Sequence, residues 1–284
     1  MNASSWLSAA ASSIDRLDAE LILANAIQKE RIFLHGHPEY ELNEREKAKA
    51  DQDLARRQKR EPLAYILGYK EFYGRKFQVT PDTLIPRPET EAIIDFVKSL
   101  PFVTSFPQTE TLRILDVGTG SGCIAITLGL ELPNSQITAV DISAKALDCA
   151  QYNIQALGAT NISTKISNLL ESTPEKYDII VANLPYVDPD WEWLDRETLS
   201  YEPDSALYAD DEGLALIKKL ILDAPAHLSE GGYLVLEADL SQHQKIRTFA
   251  TENTDFISST SQSHQSLVLA LRLPQSAAPS PDAR

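Results

Sequence analysis

Apolar positions near the start of the chain recur at threes and fours: Ile14, Leu17, Leu21, Ala24 and Ile27 form one stripe of an amphipathic helix. A later segment opens with Asn43, carries Glu46 three residues on as a capping partner, and runs in charged residues to Pro62. From residue 4 to residue 60 the pattern is helical without a strand signal. Its mixed charges read first as the solvated surface of a small bundle, and second as a substrate-reading domain. Between Pro62 and Pro81 the period changes: Phe72-Tyr73 and Lys76-Phe77-Gln78-Val79 flank Gly74-Arg75, which predicts a short hairpin. Pro88 suits the first position of a helix reaching about Leu100, with Glu89 and Glu91 in the first turn, where carboxylates complement the dipole. Pro86 and Pro88 hold the chain extended ahead of that helix, so Arg87 is either a surface charge or aimed at a site.

After a turn-rich connector at 101–110, strands and helices alternate. Strands are predicted at 113–117, 136–140, 162–166, 177–182 and 233–236, with helices at 122–130, after Ser143 and at 214–222. This is the pattern of a doubly wound α/β sheet. Two final runs, around Phe256-Ile257 and at 267–271, leave little room for a helix between them and are predicted to close the sheet antiparallel. Residues 277–284, rich in Ser, Pro and Ala, read as a disordered tail. The expected division is therefore a helical domain over 1–62, a hairpin linker over 63–82, the sheet domain over 83–274 and a tail over 275–284.

Composition narrows the function. With 43% hydrophobic residues among 284, the chain can bury a substantial core. Lys plus Arg number 26 against 41 Asp plus Glu, a net charge of -15, so the far field repels polyanions and direct nucleic-acid binding is not expected. Two cysteines, Cys123 and Cys149, have no partner at metal-ligand spacing; they fit core packing in a reducing compartment, with no metal site. No apolar run approaches the roughly 20 residues that span a bilayer, and the first 15 residues carry no Lys or Arg. A cytoplasmic protein without a membrane partner, acting as a monomer, is the expectation.

The chemistry concentrates at strand ends. Asp116-Val117-Gly118-Thr119-Gly120-Ser121-Gly122 lies where the first sheet strand turns into a helix, so its glycines permit a tight turn and close approach of a ligand to backbone amides. The spacing Gly-x-Gly-x-Gly departs from the dinucleotide fingerprint and favours a ligand without a pyrophosphate, such as S-adenosylmethionine. Asp141, closing the second strand, is placed to accept from two ribose hydroxyls, since Ser143 already supplies the following helix cap. Asn168, after the third strand, is placed to meet an adenine with Leu169 against the ring face, although an ordinary loop asparagine fits the position equally. After the fourth strand comes Asn183-Leu184-Pro185-Tyr186. Leu184 precedes a proline and is biased towards extended conformations, which fixes its carbonyl direction. That carbonyl and the Asn183 side-chain oxygen are two acceptors matched to one NH₂ group, and Tyr186 is expected to pack on a flat substrate. Asn183, Pro185 and Tyr186 are thus the expected catalytic residues. Such a pair suits a planar amide or aromatic amine, whose delocalised lone pair makes it a poor nucleophile.

Together with Pro62 to Gly68, Phe72-Tyr73-Gly74 and Leu84-Ile85-Pro86-Arg87-Pro88-Glu89-Thr90-Glu91, these motifs resemble the HemK/PrmC family of peptide chain release factor glutamine methyltransferases from about residue 15 to 272. The resemblance implies a class I S-adenosylmethionine-dependent methyltransferase (Rossmann-like α/β fold) with a small N-terminal helical domain that helps engage the release factor. It implies methylation of the glutamine in a Gly-Gly-Gln motif, cofactor binding by Gly118 to Gly122, Asp141, Leu169 and Asn183, and capture of the glutamine amide by Asn183 to Tyr186. Three departures stand out. Leu184 replaces the first proline of Asn-Pro-Pro-Tyr. Asn168-Leu169 replaces an acid and an aromatic, costing about 1 kcal/mol each in cofactor binding. Glu237-Ala238-Asp239 lacks an expected glycine. Two other readings compete: an adenine methyltransferase acting on RNA or DNA, whose substrate amine presents the same two hydrogens, and a non-catalytic binding module on this scaffold.

Overall fold

In the computed structural model, which describes residues 1–107, 109–192, 194–259 and 267–275, the first seventy residues form helices Ala3–Ala10, Arg16–Ala26, Arg31–Gly36, Glu44–Gln58 and Leu63–Leu67. Trp6, Leu7, Ile22, Leu23, Leu34, Ala50 and Ile66 make their shared core. The predicted stripe is buried in part: Ala24 and Ile27 lie in this core and Ile14 packs against it, but the face that is most deeply buried is shifted towards Ile22 and Leu23. Within Arg16–Ala26, Ala19, Ile22, Leu23 and Ala24 are buried, whereas Leu17 is 47% exposed. Apolar residues lie on both sides of this helix, so a 3.6-residue period admits either face, and its neighbours choose. The capping pair forms as expected: Asn43 Oδ1 accepts the Glu46 N–H at 3.0 Å, and Glu46 Oε2 accepts the Asn43 N–H at 2.9 Å.

The chain divides into two compact units, and the first also takes up residues 79–81 and Leu194–Tyr201 from far along the sequence. The tie is polar. Arg60 pairs with Asp195 at 2.9 Å and with Glu197 at 3.3 Å, and the Tyr201 hydroxyl donates to the Lys59 carbonyl at 2.7 Å.

Strands β1 (Tyr69–Phe72) and β2 (Arg75–Gln78) form a two-stranded sheet. Its turn is Tyr73-Gly74, one residue earlier than predicted; both have positive φ, +50° and +71°, as the tightest hairpin turns require.

The second unit is built on a seven-stranded sheet of β3 (Leu112–Val117), β4 (Ser135–Asp141), β5 (Ile162–Ile166), β6 (Tyr177–Ala182), β7 (Leu228–Glu237), β8 (Ile257–Ser259) and β9 (Val268–Arg272), in the order β5-β4-β3-β6-β7-β9-β8. The five strands from β3 to β7 are parallel, and β9 and β8 close the sheet antiparallel, as the closing runs predicted. Along β6 the side chains alternate between two cores: Ile179 and Val181 join one, Ile180 and Ala182 the other. Helix His243–Asn253, between β7 and β8, has no counterpart in the sequence reading. Its buried residues, His243, Ile246 and Ala250, keep helical spacing, but only Ile246 among them is strongly apolar, so the stripe is faint in the sequence. The strand order reverses between β3 and β6, where open α/β sheets form their ligand crevice. The predicted tail lies outside the described residues except for its first position. Among the described residues no helix is long and apolar enough to cross a membrane.

Candidate active site

A cavity of about 470 Å³ opens over the carboxyl ends of β3 to β6, within the size range of small-molecule sites. The turn after β3 forms its floor. Gly118, Gly120 and Gly122 all have positive φ, but they serve different ends. A Cβ on Gly122 would stand 2.9 Å from Ile126 Cδ1 and 3.2 Å from Ala150 Cβ. Gly122 therefore allows helix Cys123–Glu131 to approach helix Ala144–Leu157, and it does not line the cavity to which the sequence reading assigned it. A Cβ on Gly120 would meet nothing within 4 Å, so the chain stays open to a ligand there. Thr119 and Ser121 border the cavity but are committed to the protein: Thr119 Oγ1 donates to Asp116 at 2.6 Å, and the Ser121 carbonyl accepts from Asn153 at 2.8 Å.

Asp116 is fully buried beneath this loop. Its Oδ2 accepts from Thr119 and, at 3.2 Å, from the Ala125 N–H, while Oδ1 has no hydrogen-bond partner. Burial, reinforced by the Asp141 charge, pushes the Asp116 carboxyl up to about 7. The folded state therefore holds a proton that the unfolded chain releases near 3.8, and stability through this group falls as pH rises between those values. Asp116→Asn keeps an acceptor for both donors and removes the titration. Its Tm should gain on the wild type as pH is raised from about 5 to about 8 in paired thermal melts.

Asp141, at the end of β4, accepts the Gly120 N–H on Oδ2 and the Ser143 N–H on Oδ1, each at 2.9 Å. Each carboxylate oxygen retains a lone pair for an incoming hydroxyl. Ser143 caps its helix as predicted, accepting the Ala146 N–H at 3.2 Å. Ile142, 68% exposed, lines the cavity beside it; sequence reasoning passed over it, the only signal being an apolar residue straight after the acid. Asn168 and Leu169 reach the same cavity. Asn168 Nδ2 donates to Glu171 at 2.7 Å, leaving its oxygen, and Leu169 is held at φ +51°.

Across the cavity stand Asn183, Leu184 and Pro185. Asn183 Nδ2 donates to Thr90 Oγ1 at 3.1 Å, which leaves Oδ1 as the end able to accept from a ligand. Tyr186 corrects the expectation. Its ring packs against the core rather than lining the cavity, its hydroxyl donates to Glu237 Oε1 at 3.2 Å, and its carbonyl accepts from Gln242 at 2.9 Å. Burial and the Glu237 charge push the Tyr186 phenol up. The ring is drawn inward because one end is apolar and the other finds a buried partner. Arg87 does line the cavity. Its guanidinium bonds Glu202 Oε1 at 2.5 Å, and Glu202 Oε2 accepts the Ile85 N–H at 3.0 Å. Thr90, Glu202, Glu237 and Gln242 were missed because each lies far along the chain from what it contacts. Cys123 borders the cavity, but burial pushes its thiol up to about 12, so it is inert. Among the described residues no cluster fits a metal ion.

The parallel sheet, the loop after β3, the acid ending β4 and the Asn-Leu-Pro-Tyr turn after β6 together define a class I S-adenosylmethionine-dependent methyltransferase. Comparison with known proteins narrows this. Residues 1–68 match the PrmC N-terminal domain and residues 92–192 the methyltransferase small domain. The release factor glutamine methyltransferase of Koribacter versatilis is 40% identical over 253 residues, 88% of each chain, and that of Coxiella burnetii 39% over 238 residues, 84% of this chain and 83% of that one. The chain belongs to the release factor glutamine methyltransferase family. A solved structure, the hMettl16 catalytic domain in complex with MAT2A 3'UTR hairpin 6, shares the fold at 17% identity with a TM-score of 0.55, covering 78% of this chain and 81% of that one.

Proposed function

We propose that this protein transfers a methyl group from S-adenosylmethionine to the side-chain amide nitrogen of the glutamine in the Gly-Gly-Gln motif of a peptide chain release factor, acting as a cytoplasmic monomer without direct nucleic-acid contact. The observation that carries it is the state of Asn183: its amino end is taken by Thr90, which leaves its side-chain oxygen to accept on a cavity wall that Leu184 also lines. In this reading the Asn183 side-chain oxygen and the Leu184 carbonyl take both hydrogens of a primary amide, orient its nitrogen and raise its electron density. No general base is needed before transfer, because the nitrogen becomes acidic once methylated and can lose its proton to water.

The cavity suits the cofactor. Asp141 has lone pairs for two ribose hydroxyls, Leu169 and Ile142 offer apolar surface for a base, and Gly120 leaves the loop open. When bound there, S-adenosylmethionine supplies an activated methyl group. Asp141→Ala should weaken S-adenosylmethionine binding by roughly 10²-fold in calorimetry, since two charge-assisted hydrogen bonds are lost. An unchanged affinity would remove Asp141 from the site. The function itself is tested by incubating the purified protein with release factor and S-adenosylmethionine and mapping modified peptides by mass. A single methyl on the Gly-Gly-Gln glutamine supports the reading, and an unmodified factor with methylated RNA would overturn it.

A further inference from the structure

Beyond Pro185 the turn that carries Asn183 leaves the cavity wall and is tied down at the Tyr186 carbonyl. That oxygen accepts from Gln242 Nε2 at 2.9 Å, and the same nitrogen donates to the Glu212 carbonyl, also at 2.9 Å. Gln242 Oε1 accepts the Asp239 N–H at 3.1 Å. Gln242, the residue before helix His243–Asn253, is 4% exposed and does not line the cavity. Its partners leave no choice of orientation. Two carbonyls can only accept and an N–H can only donate, so Nε2 must face the carbonyls and Oε1 the Asp239 N–H.

The loop on the other side of this clamp is held in a rare shape. Asp211, Glu212 and Gly213 are successive residues at positive φ, +59°, +55° and +80°. Two of them are not glycine, and such residues persist in this region only where their surroundings over-determine them. Gly213 leaves the space that lets the loop close on Tyr186, because a Cβ there would stand 2.0 Å from the Tyr186 carbonyl oxygen. Val187 is fixed next to it: its N–H donates to the Leu207 carbonyl at 3.0 Å, and its carbonyl accepts the Ala209 N–H at 3.2 Å. Pro185 brings no N–H to anchor its own peptide. Filling the space behind a turn needs only an apolar side chain, whereas here a fully bonded amide and a left-handed loop converge on one carbonyl, two residues after Leu184.

We infer that Gln242 is a positioning residue for methyl transfer: by holding the Tyr186 carbonyl against the 211–213 loop, it fixes where the Asn183–Pro185 wall stands, and with it the placing of the substrate amide. This rests on the function proposed above. Asn183 and Leu184 touch the substrate in that reading, and Gln242 acts on them only through the backbone.

The test is steady-state kinetics on a Gly-Gly-Gln peptide or intact release factor, run below the melting temperature of each variant, with S-adenosylmethionine affinity measured by calorimetry. Gln242→Met keeps the length and bulk and removes both donors. Its kcat should fall at least about tenfold, the scale on which a small displacement of a reacting group is felt, with substrate KM and cofactor Kd within about threefold. Gln242→Asn keeps the amide but is one carbon short of spanning both carbonyls, and it should lose at least about threefold in kcat. Gln244→Met, exposed on the same helix, should leave kcat unchanged. A purely structural role would lower Tm and leave the folded protein turning over normally. A kcat within about twofold of the wild type in Gln242→Met, or a loss confined to KM or to cofactor Kd, would therefore overturn the inference. If Gln242→Met fails to fold, Gln242→Asn decides by the same two criteria. An inert wild type would instead sink the proposed function, and this inference with it; a working wild type with an indifferent Gln242→Met sinks the inference alone.

Discussion

Asn183→Ala is expected to lower methyl transfer by roughly 10²–10³-fold, the scale seen when one preorganised polar contact to a reacting group is removed. The substitution deletes one of the two acceptors proposed for the amide hydrogens and leaves the other residues that line the cavity unchanged. On the protein side it breaks a single hydrogen bond, to Thr90 at 3.1 Å. That costs about 1 kcal/mol, so Tm should fall by only about 2–4 °C for a chain of this size. S-adenosylmethionine affinity should stay within about threefold if Asn183 acts chiefly on the substrate. Turnover assays combined with thermal melts and calorimetry check all three, and near-normal turnover in a folded variant would remove Asn183 from the chemistry.

Gly213→Ala should be the most damaging small change away from the cavity wall. A Cβ there would lie 2.0 Å from the Tyr186 carbonyl oxygen and 2.7 Å from Gln242 Nε2, at a φ of +80°. The left-handed conformation alone costs a non-glycine residue about 1 kcal/mol. The clash is with backbone, so the Asn183–Tyr186 turn or the 211–213 loop must move. Gln242 Nε2 currently ties the two together, donating to both Tyr186 O and Glu212 O at 2.9 Å. We expect a Tm loss of roughly 5 °C or more from at least about 2 kcal/mol of strain and lost bonding, with a tenfold or larger drop in turnover as Asn183 is displaced. Gly36→Ala is the control. Nothing lies within 4 Å of its Cβ and its φ is not positive, so it should be neutral or slightly stabilising. Equal melting of Gly213→Ala and wild type would show that the turn is not held by this contact.

The glutamine methyltransferase reading depends on where β6 delivers its last residues, and that position was legible early. Asn183 follows an apolar run of strand composition, and the structure ends β6 at Ala182, beside the Gly118 turn. Tyr186 was not legible. Nothing in Asn-Leu-Pro-Tyr reveals that a buried acid 51 residues later draws the phenol inward. Gly122 was misassigned for a related reason: a glycine that admits a ligand and one that admits a neighbouring helix look alike until Ala150 is seen packed against it.

Local rules acting over a few residues were sufficient for the strand order and for the helices other than His243–Asn253 that cover the sheet, the Asn43 capping box, the cap at Ser143, the parallel sheet with its antiparallel closure, and the ends of strands that carry Gly120, Asp141 and Asn183. Alternation and capping are properties of neighbouring positions, so the chain specifies them before it folds. Tertiary structure alone decided how far each side of Arg16–Ala26 is buried, that Leu194–Tyr201 belongs with the helical unit, that Arg87 is held at the cavity by Glu202, that Thr90 meets Asn183 and that Tyr186 meets Glu237. Each of these is a contact between residues scores of positions apart, or a choice between two apolar faces. Hydrophobic periodicity carries no information about such pairings; it is the packing of the two cores and the need of each buried polar group for a partner that selects them.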